Sequence, residues 1–217
     1  VAVPAPMLDR TRGRIRPNPD GKILCIAGSF QRYSYTMLSA PMSSLVLDTL
    51  DGENKFFHSV SRQVYKLLVL RLLPFKHDWE EEARWRDLQP FLKTYIGTKT
   101  MYQQLNQSRL CICFYNGTPM LEVFASNFPT IVFFNHNNCE LNESAQPYFD
   151  ELREAGILFD NPESAASQVN KIYQNPVSWW GTAKVQRAKD RFCNRYARCE
   201  SGWISIWKNE ILKVVNE

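Results

Sequence analysis

Apolar positions fall into short runs separated by polar stretches of helical spacing. Residues 22–27 (KILCIA), 66–73, 109–114 (RLCICF) and 130–134 (TIVFF) are nearly unbroken apolar runs of strand length, with a weaker run at 91–96 and a short one at 157–159. Strands buried on both faces read this way, and such strands belong to parallel sheets covered by helices. The intervening segments supply the helices. Helical spacing is expected over 42–50, over 100–107 with Met101, Tyr102 and Leu105 on one face, over 119–128, over 143–155 up to Gly156, and over 162–173. The clearest unit is 109–134, a strand, a tight turn, a helix and a second strand, which is the length of a right-handed crossover. In it Thr118 reads as the helix cap and Pro119 as the first helical residue, where a missing N–H costs nothing. Asn161 and Pro162 repeat that arrangement. The alternation predicts an α/β fold built on a doubly wound parallel sheet.

Beyond Trp179 and Trp180 the pattern becomes one long amphipathic helix. Phe192, Cys199, Trp203, Ile206, Trp207 and Ile211 recur near helical spacing as a packing seam, with a break expected at Ser201 and Gly202. At the other end, Pro4, Pro6, Pro17 and Pro19 interrupt any period, so residues 1–20 read as a linker or tether, 21–178 as the folded domain and 179–217 as the helical segment.

Composition narrows the function classes. With 217 residues, 44% of them hydrophobic and 22% charged, the chain belongs among globular domains. No apolar run approaches the ~20 residues of a membrane-spanning helix. Residues 1–7 lack the basic start and apolar stretch of a secretory signal, so a cytoplasmic location is expected. Net charge is +4, too mild to indicate nucleic acid. Basic residues do crowd 184–198, a solvated face or a contact with phosphate or the inner face of a membrane. The six cysteines form no CxxC pair, and Cys111 and Cys113 fall on one side of a buried strand, so reduced core thiols are expected rather than a metal site. There is no GxxxxGK[ST], GxGxxG, GxSxG or HExxH, which removes the main support for P-loop, dehydrogenase, hydrolase and zinc-protease readings.

In an open parallel sheet, ligands bind beyond the carboxyl ends of strands, where free N–H groups and the helix dipole favour anions. Three loops qualify. The first holds Ser29 and Arg32. The second holds Asn116, Gly117 and Thr118, with Glu122 one turn into the following helix. The third is 135–140 (NHNNCE), with His136 and Glu140 as titratable members. Each could be structural: Ser29 shaping a turn, Arg32 pairing with an acid, Thr118 only capping, Glu122 only complementing the dipole, His136 only donating a hydrogen bond. Their convergence on one edge of the sheet would make a pocket for a nucleotide phosphate and its sugar.

Residues 116–135 (NGTPMLEVFASNFPTIVFFN) resemble the donor-binding segment of GT-B glycosyltransferases. More narrowly, 22–35 (KILCIAGSFQRYSY), 70–87 (LRLLPFKHDWEEEARWRD) and 139–173 are similar to the C-terminal part of a bacterial transferase family linked to O-antigen and other surface-polysaccharide biosynthesis. The resemblance implies a Rossmann-like donor half of a two-domain enzyme, using a CMP-, UDP- or GDP-linked sugar and no obligatory cofactor or metal. It implies that Ser29 and Arg32 reach the donor phosphates, that Gly117 and Thr118 bind them at the helix start, and that Glu122 contacts ribose or sugar hydroxyls. His136 and Glu140 would then lie nearest the reacting sugar. A glycan or lipid-linked acceptor would be presented by an N-terminal acceptor domain or partner chain, in whose place this sequence has only the tether. The rival reading is a non-catalytic Rossmann-like module, docking through its basic face and tryptophan helix as an assembly subunit of a larger complex.

Overall fold

The computed structural model describes residues 3–9, 13–33, 44–74, 77–97 and 99–215. Six strands form a single parallel sheet: β1 (Lys22–Ile26), β2 (Leu68–Arg71), β3 (Lys93–Tyr95), β4 (Ser108–Cys113), β5 (Thr130–Phe133) and β6 (Leu158–Phe159). Their order is β3-β2-β1-β4-β5-β6, which places the topological switch between β1 and β4. Each strand answers to one of the six apolar runs, most clearly β1, β4 and β5, whose residues are almost all buried, and least clearly β3, where Lys93 and Thr94 are exposed. The central strands are sealed on both faces: Ile23, Cys25, Ile112 and Ile131 on one and Cys111, Cys113 and Val132 on the other are all 0% exposed.

The two faces hold separate cores. On one, Leu24, Ile26, Cys111, Cys113 and Val132 meet α5 (Met101–Leu105), α6 (Thr118–Ala125), α7 (Gln146–Glu154), α9 (Pro176–Trp180) and α10 (Ala183–Tyr196). Phe124, Phe149 and Phe192 join there edge to face, with ring centroids 5.6 and 5.2 Å apart. On the other, Ile23, Cys25, Leu70, Ile112 and Phe133 meet α2 (Ser44–Ser59), α3 (Arg62–Tyr65), α4 (Glu81–Leu88) and α8 (Pro162–Ile172). Cys111 and Cys113 share one side of β4 as thiols, their sulfurs 3.9 Å apart.

Three elements depart from the sequence pattern. The expected helix at 42–50 is α2, which runs on to Ser59 through the polar stretch Asp51–Lys55. Gly52 sits inside it despite its poor helix propensity, and a Cβ there would make an ordinary 3.4 Å contact with the Phe133 ring. The acid-rich segment 81–88 shows little apolar periodicity, yet it forms α4 around the single buried anchor Trp85. Near the end, the chain breaks where expected, between α10 and α11 (Trp203–Val215) with Gly202 at φ +81°, and the departure lies in the packing of α11. Only α10 belongs to the packing seam. None of the residues of α11 is buried, and Ile204, Ile211, Val214 and Val215 are exposed.

The segment read as a tether contains the short helix α1 (Pro6–Asp9) and buries Leu8 and Ile15. The Ala5 N–H donates to the Arg198 carbonyl at 2.9 Å, and the Trp207 indole donates to the Pro4 carbonyl at 2.8 Å. Both ends of the chain are tied together by these bonds. No helix among the described residues is long and apolar enough to cross a membrane.

Candidate functional site

Strands β1, β4 and β5 are neighbours, and the loops that leave their carboxyl ends carry the three candidate groups. The loops after β4 and β5 do come together. With Phe30 and Thr49 they enclose a cavity of about 260 Å³ whose walls are Phe114, Tyr115, Asn116, Gly117, Phe134, Asn135, Asn138 and Cys139. Among the described residues no charged side chain lines it. Four aromatic rings and three side-chain amides do, a surface that accepts planar or apolar groups and offers neutral hydrogen bonds.

Local structure explains this arrangement. Gly117, not Thr118, is the cap of α6, with an extended backbone at φ −103° and ψ −171°. Thr118 is already the first helical residue and Pro119 the second, so the cap lies one residue earlier than expected. The glycine is demanded by contact: a Cβ there would stand 2.1 Å from the Tyr115 ring. Phe30 folds back over Gly28 and meets Tyr115 edge to face at 6.3 Å, which closes the top of the cavity. Asn116 accepts the Cys139 thiol hydrogen at 3.1 Å, tying the β4 loop to the β5 loop. Burial still raises the Cys139 pKa above its ordinary range. Asn135 holds the third loop in shape by accepting the Asn137 N–H at 3.0 Å, and the turn His136–Asn138 follows.

Of the first loop only Phe30 reaches this cavity, and its polar residues turn away. Ser29 donates to the Glu81 carboxyl at 2.7 Å, and Arg32 donates to the Asp78 carbonyl at 3.1 Å while lying over the Trp79 ring. Both are absorbed by the segment leading into α4. Glu122 faces α5, where Tyr102 donates to it; burial raises its pKa, and that hydrogen bond lowers it in part. Thr118 and Glu140 are exposed outside the cavity wall, and His136 opens the turn beyond β5, its side chain outside the described residues. Of the predicted residues, Asn116 and Gly117 line the cavity. Among the described residues no three of His, Cys, Asp and Glu come together as metal ligands would.

A second cavity of about 290 Å³ lies beside the first and shares Thr49, Phe114, Phe134 and Asn135 with it. Its far wall is α2 with Asp48, Asp51, Glu53 and Lys55, together with Asp160. Sequence reasoning passed over Thr49 and Glu53. The available signal was Glu53 itself, a charged residue on the Leu50, Phe56, Phe57 stripe of α2.

The sequence matches the family described as LIC12162 family transferase over residues 1–211. The chain belongs to that family. No curated protein matches it. Among solved structures, this transferase-family chain is similar to WaaG, a glycosyltransferase involved in lipopolysaccharide biosynthesis, at 14% identity and a TM-score of 0.44. The match covers 93% of this chain and 52% of that one, so this chain spans about half the length of WaaG.

Proposed function

We propose that this member of the LIC12162 transferase family is the nucleotide-sugar-binding half of a glycosyltransferase acting in surface-polysaccharide biosynthesis. One observation carries the reading: the uncharged, aromatic and amide-lined cavity beyond β4 and β5, set against the start of α6 at the switch side of the sheet. A nucleoside suits the rings and amides. Its phosphates suit the first turn of α6, where Gly117 permits close approach and the free N–H of Thr118, its hydroxyl and the helix dipole favour negative charge. The donor would be CMP-, UDP- or GDP-linked, and the reading needs no obligatory cofactor or metal.

In the transfer itself, the bond from the anomeric carbon to phosphate oxygen breaks, a bond to an acceptor hydroxyl oxygen forms, and the hydroxyl proton passes to a base. The α6 start would stabilise the departing phosphate. His136 and Glu140, on the segment after β5, would lie toward the reacting sugar, with the glycan or lipid-linked acceptor brought by an acceptor domain or partner chain. Ser29 and Arg32 take no part in this reading, because α4 and its approach already hold them. The second reading, an assembly module, draws on α11, whose apolar residues are exposed.

Titration calorimetry with UDP, GDP and CMP tests the proposal. At least one should bind saturably, and Asn135→Ala and Thr118→Val should each weaken it about 5- to 50-fold, the range of one or two lost hydrogen bonds. Silence from all three nucleotides, or full affinity in both variants, overturns it.

A further inference from the structure

Glu53 has no evident structural reason to be where it is. It is 3% exposed on the inner face of α2, between Leu50 and the buried pair Phe56 and Phe57. No hydrogen bond or ion pair from a described residue reaches its carboxyl, whereas the carboxylates nearby are answered: Asp51 by Lys55 at 2.7 Å and Asp160 by Arg153 at 2.7 Å. A buried carboxyl without a partner costs stability, and such groups persist where they do something. Glu53 lines the second cavity, whose other walls are the Phe114, Phe133 and Phe134 rings and Asn135.

We propose that Glu53 is a ligand-binding residue, hydrogen-bonding a hydroxyl of the sugar carried by the nucleotide in the cavity between α2 and the ends of β4 and β5. This deepens the nucleotide-sugar reading and rests on it. Charge decides which part of the ligand goes where. The acids along α2 repel phosphate, while the described residues around the first cavity carry no charge and the cavity adjoins the start of α6. A neutral polyol suits the acidic side, because each hydroxyl both donates and accepts, and the phenylalanine rings cover its C–H faces. Together the two cavities fall within the ~300–1,000 Å³ usual for small-molecule sites. The sugar-binding cavity thus selects hydroxyl-rich, uncharged sugars over acidic ones.

The test compares UDP with UDP-glucose and UDP-N-acetylglucosamine, and GDP with GDP-mannose, by calorimetry. On the wild type, at least one sugar nucleotide should bind ten-fold or more tightly than its nucleotide. Glu53→Met should remove that gain while the bare-nucleotide Kd moves less than two-fold, and Glu53→Gln should keep part of it. Melting supplies a readout independent of ligand. Glu53→Met should melt about 2–4 °C above the wild type, the shift expected when a domain of this size is relieved of about 1 kcal/mol. A gain that survives in Glu53→Met, a wild type that binds sugar nucleotide no better than nucleotide, or a Glu53→Met variant that melts lower overturns the proposal. Failure of every bare nucleotide would instead be seen on the wild type alone and sinks the parent reading first.

Discussion

The loop after β1 and the loops after β4 and β5 leave the same edge of the same sheet and are equally polar in sequence, yet they end in opposite states. In the first, Ser29 and Arg32 are taken up by Glu81, Asp78 and Trp79. In the others, Asn116 and Asn135 each spend one acceptor on holding the loop and still face a cavity. A polar residue at a sheet edge is therefore no evidence of a site until its partners are counted. The helix facing each loop decides the outcome. The acid-rich start of α4 meets the β1 loop, while the β4 and β5 loops meet aromatic rings that cannot satisfy them.

The largest test of this contrast is Gly117→Ala. The added methyl would enter the Tyr115 ring at 2.1 Å, so the ring must swing out or the cap must shift. Overpacking of this kind costs about 1–3 kcal/mol. Because the same ring is a wall of the cavity, nucleotide affinity should fall at least ten-fold. Chemical denaturation and calorimetry on one preparation check both. Unchanged affinity with reduced stability would detach the cavity from nucleotide binding.

What the sequence revealed follows the same physics. The central strands were legible because a parallel strand buried on both faces is apolar along most of its length, whereas β3, with Lys93 and Thr94 exposed, shows only the weak run at 91–96. Asn116 and Gly117 were legible because a strand–turn–helix junction has few ways to be built. Ser29 and Arg32 looked just as functional, since nothing in the sequence says that Glu81, 52 residues on from Ser29, would arrive to accept its hydrogen. The α4 helix was illegible for the same reason: its stability comes from one buried tryptophan and tertiary contact rather than from a periodic stripe. Glu53 was legible in principle, as a charge on an apolar face, but its meaning depends on the absence of a partner that only three dimensions reveal.

A smaller effect separates the unpaired acid from the paired ones. Burial, and then the neighbouring Glu81 charge, raise the Glu53 pKa well above its ordinary 4.5. Charged and titratable groups face it from α2 (Asp51, Lys55), β1 (Cys25), α4 (Glu81, Arg84) and the β6 end (Asp160). Below pH 4.5 the carboxyl is protonated in both folded and unfolded chains, so its stabilising share is fully present. As pH rises toward the raised folded value, the unfolded chain ionises first and that share is lost. The wild type and Glu53→Gln should therefore melt together near pH 4, and the wild type should fall progressively behind by a few degrees as pH rises to 7. Parallel curves across that range would mean that the Glu53 carboxyl ionises in place.

The smallest effects belong to the loop that is already satisfied. Ser29→Ala removes the 2.7 Å hydrogen bond to Glu81, whose pKa burial raises and that bond lowers in part. Stability should drop by about 1–2 kcal/mol, the range of one partly buried bond to a carboxyl. Arg32→Ala, which removes an exposed contact over Trp79, should cost less than about 1 kcal/mol. Neither should move the nucleotide Kd beyond two-fold, since neither side chain lines the cavity beyond β4 and β5. The two variants thus reverse the Gly117→Ala result, with stability lost and binding kept. A loss of binding in Ser29→Ala as large as its loss of stability would show that the β1 loop swings from α4 to the ligand, and that the contrast between the two edges holds only for the unliganded protein.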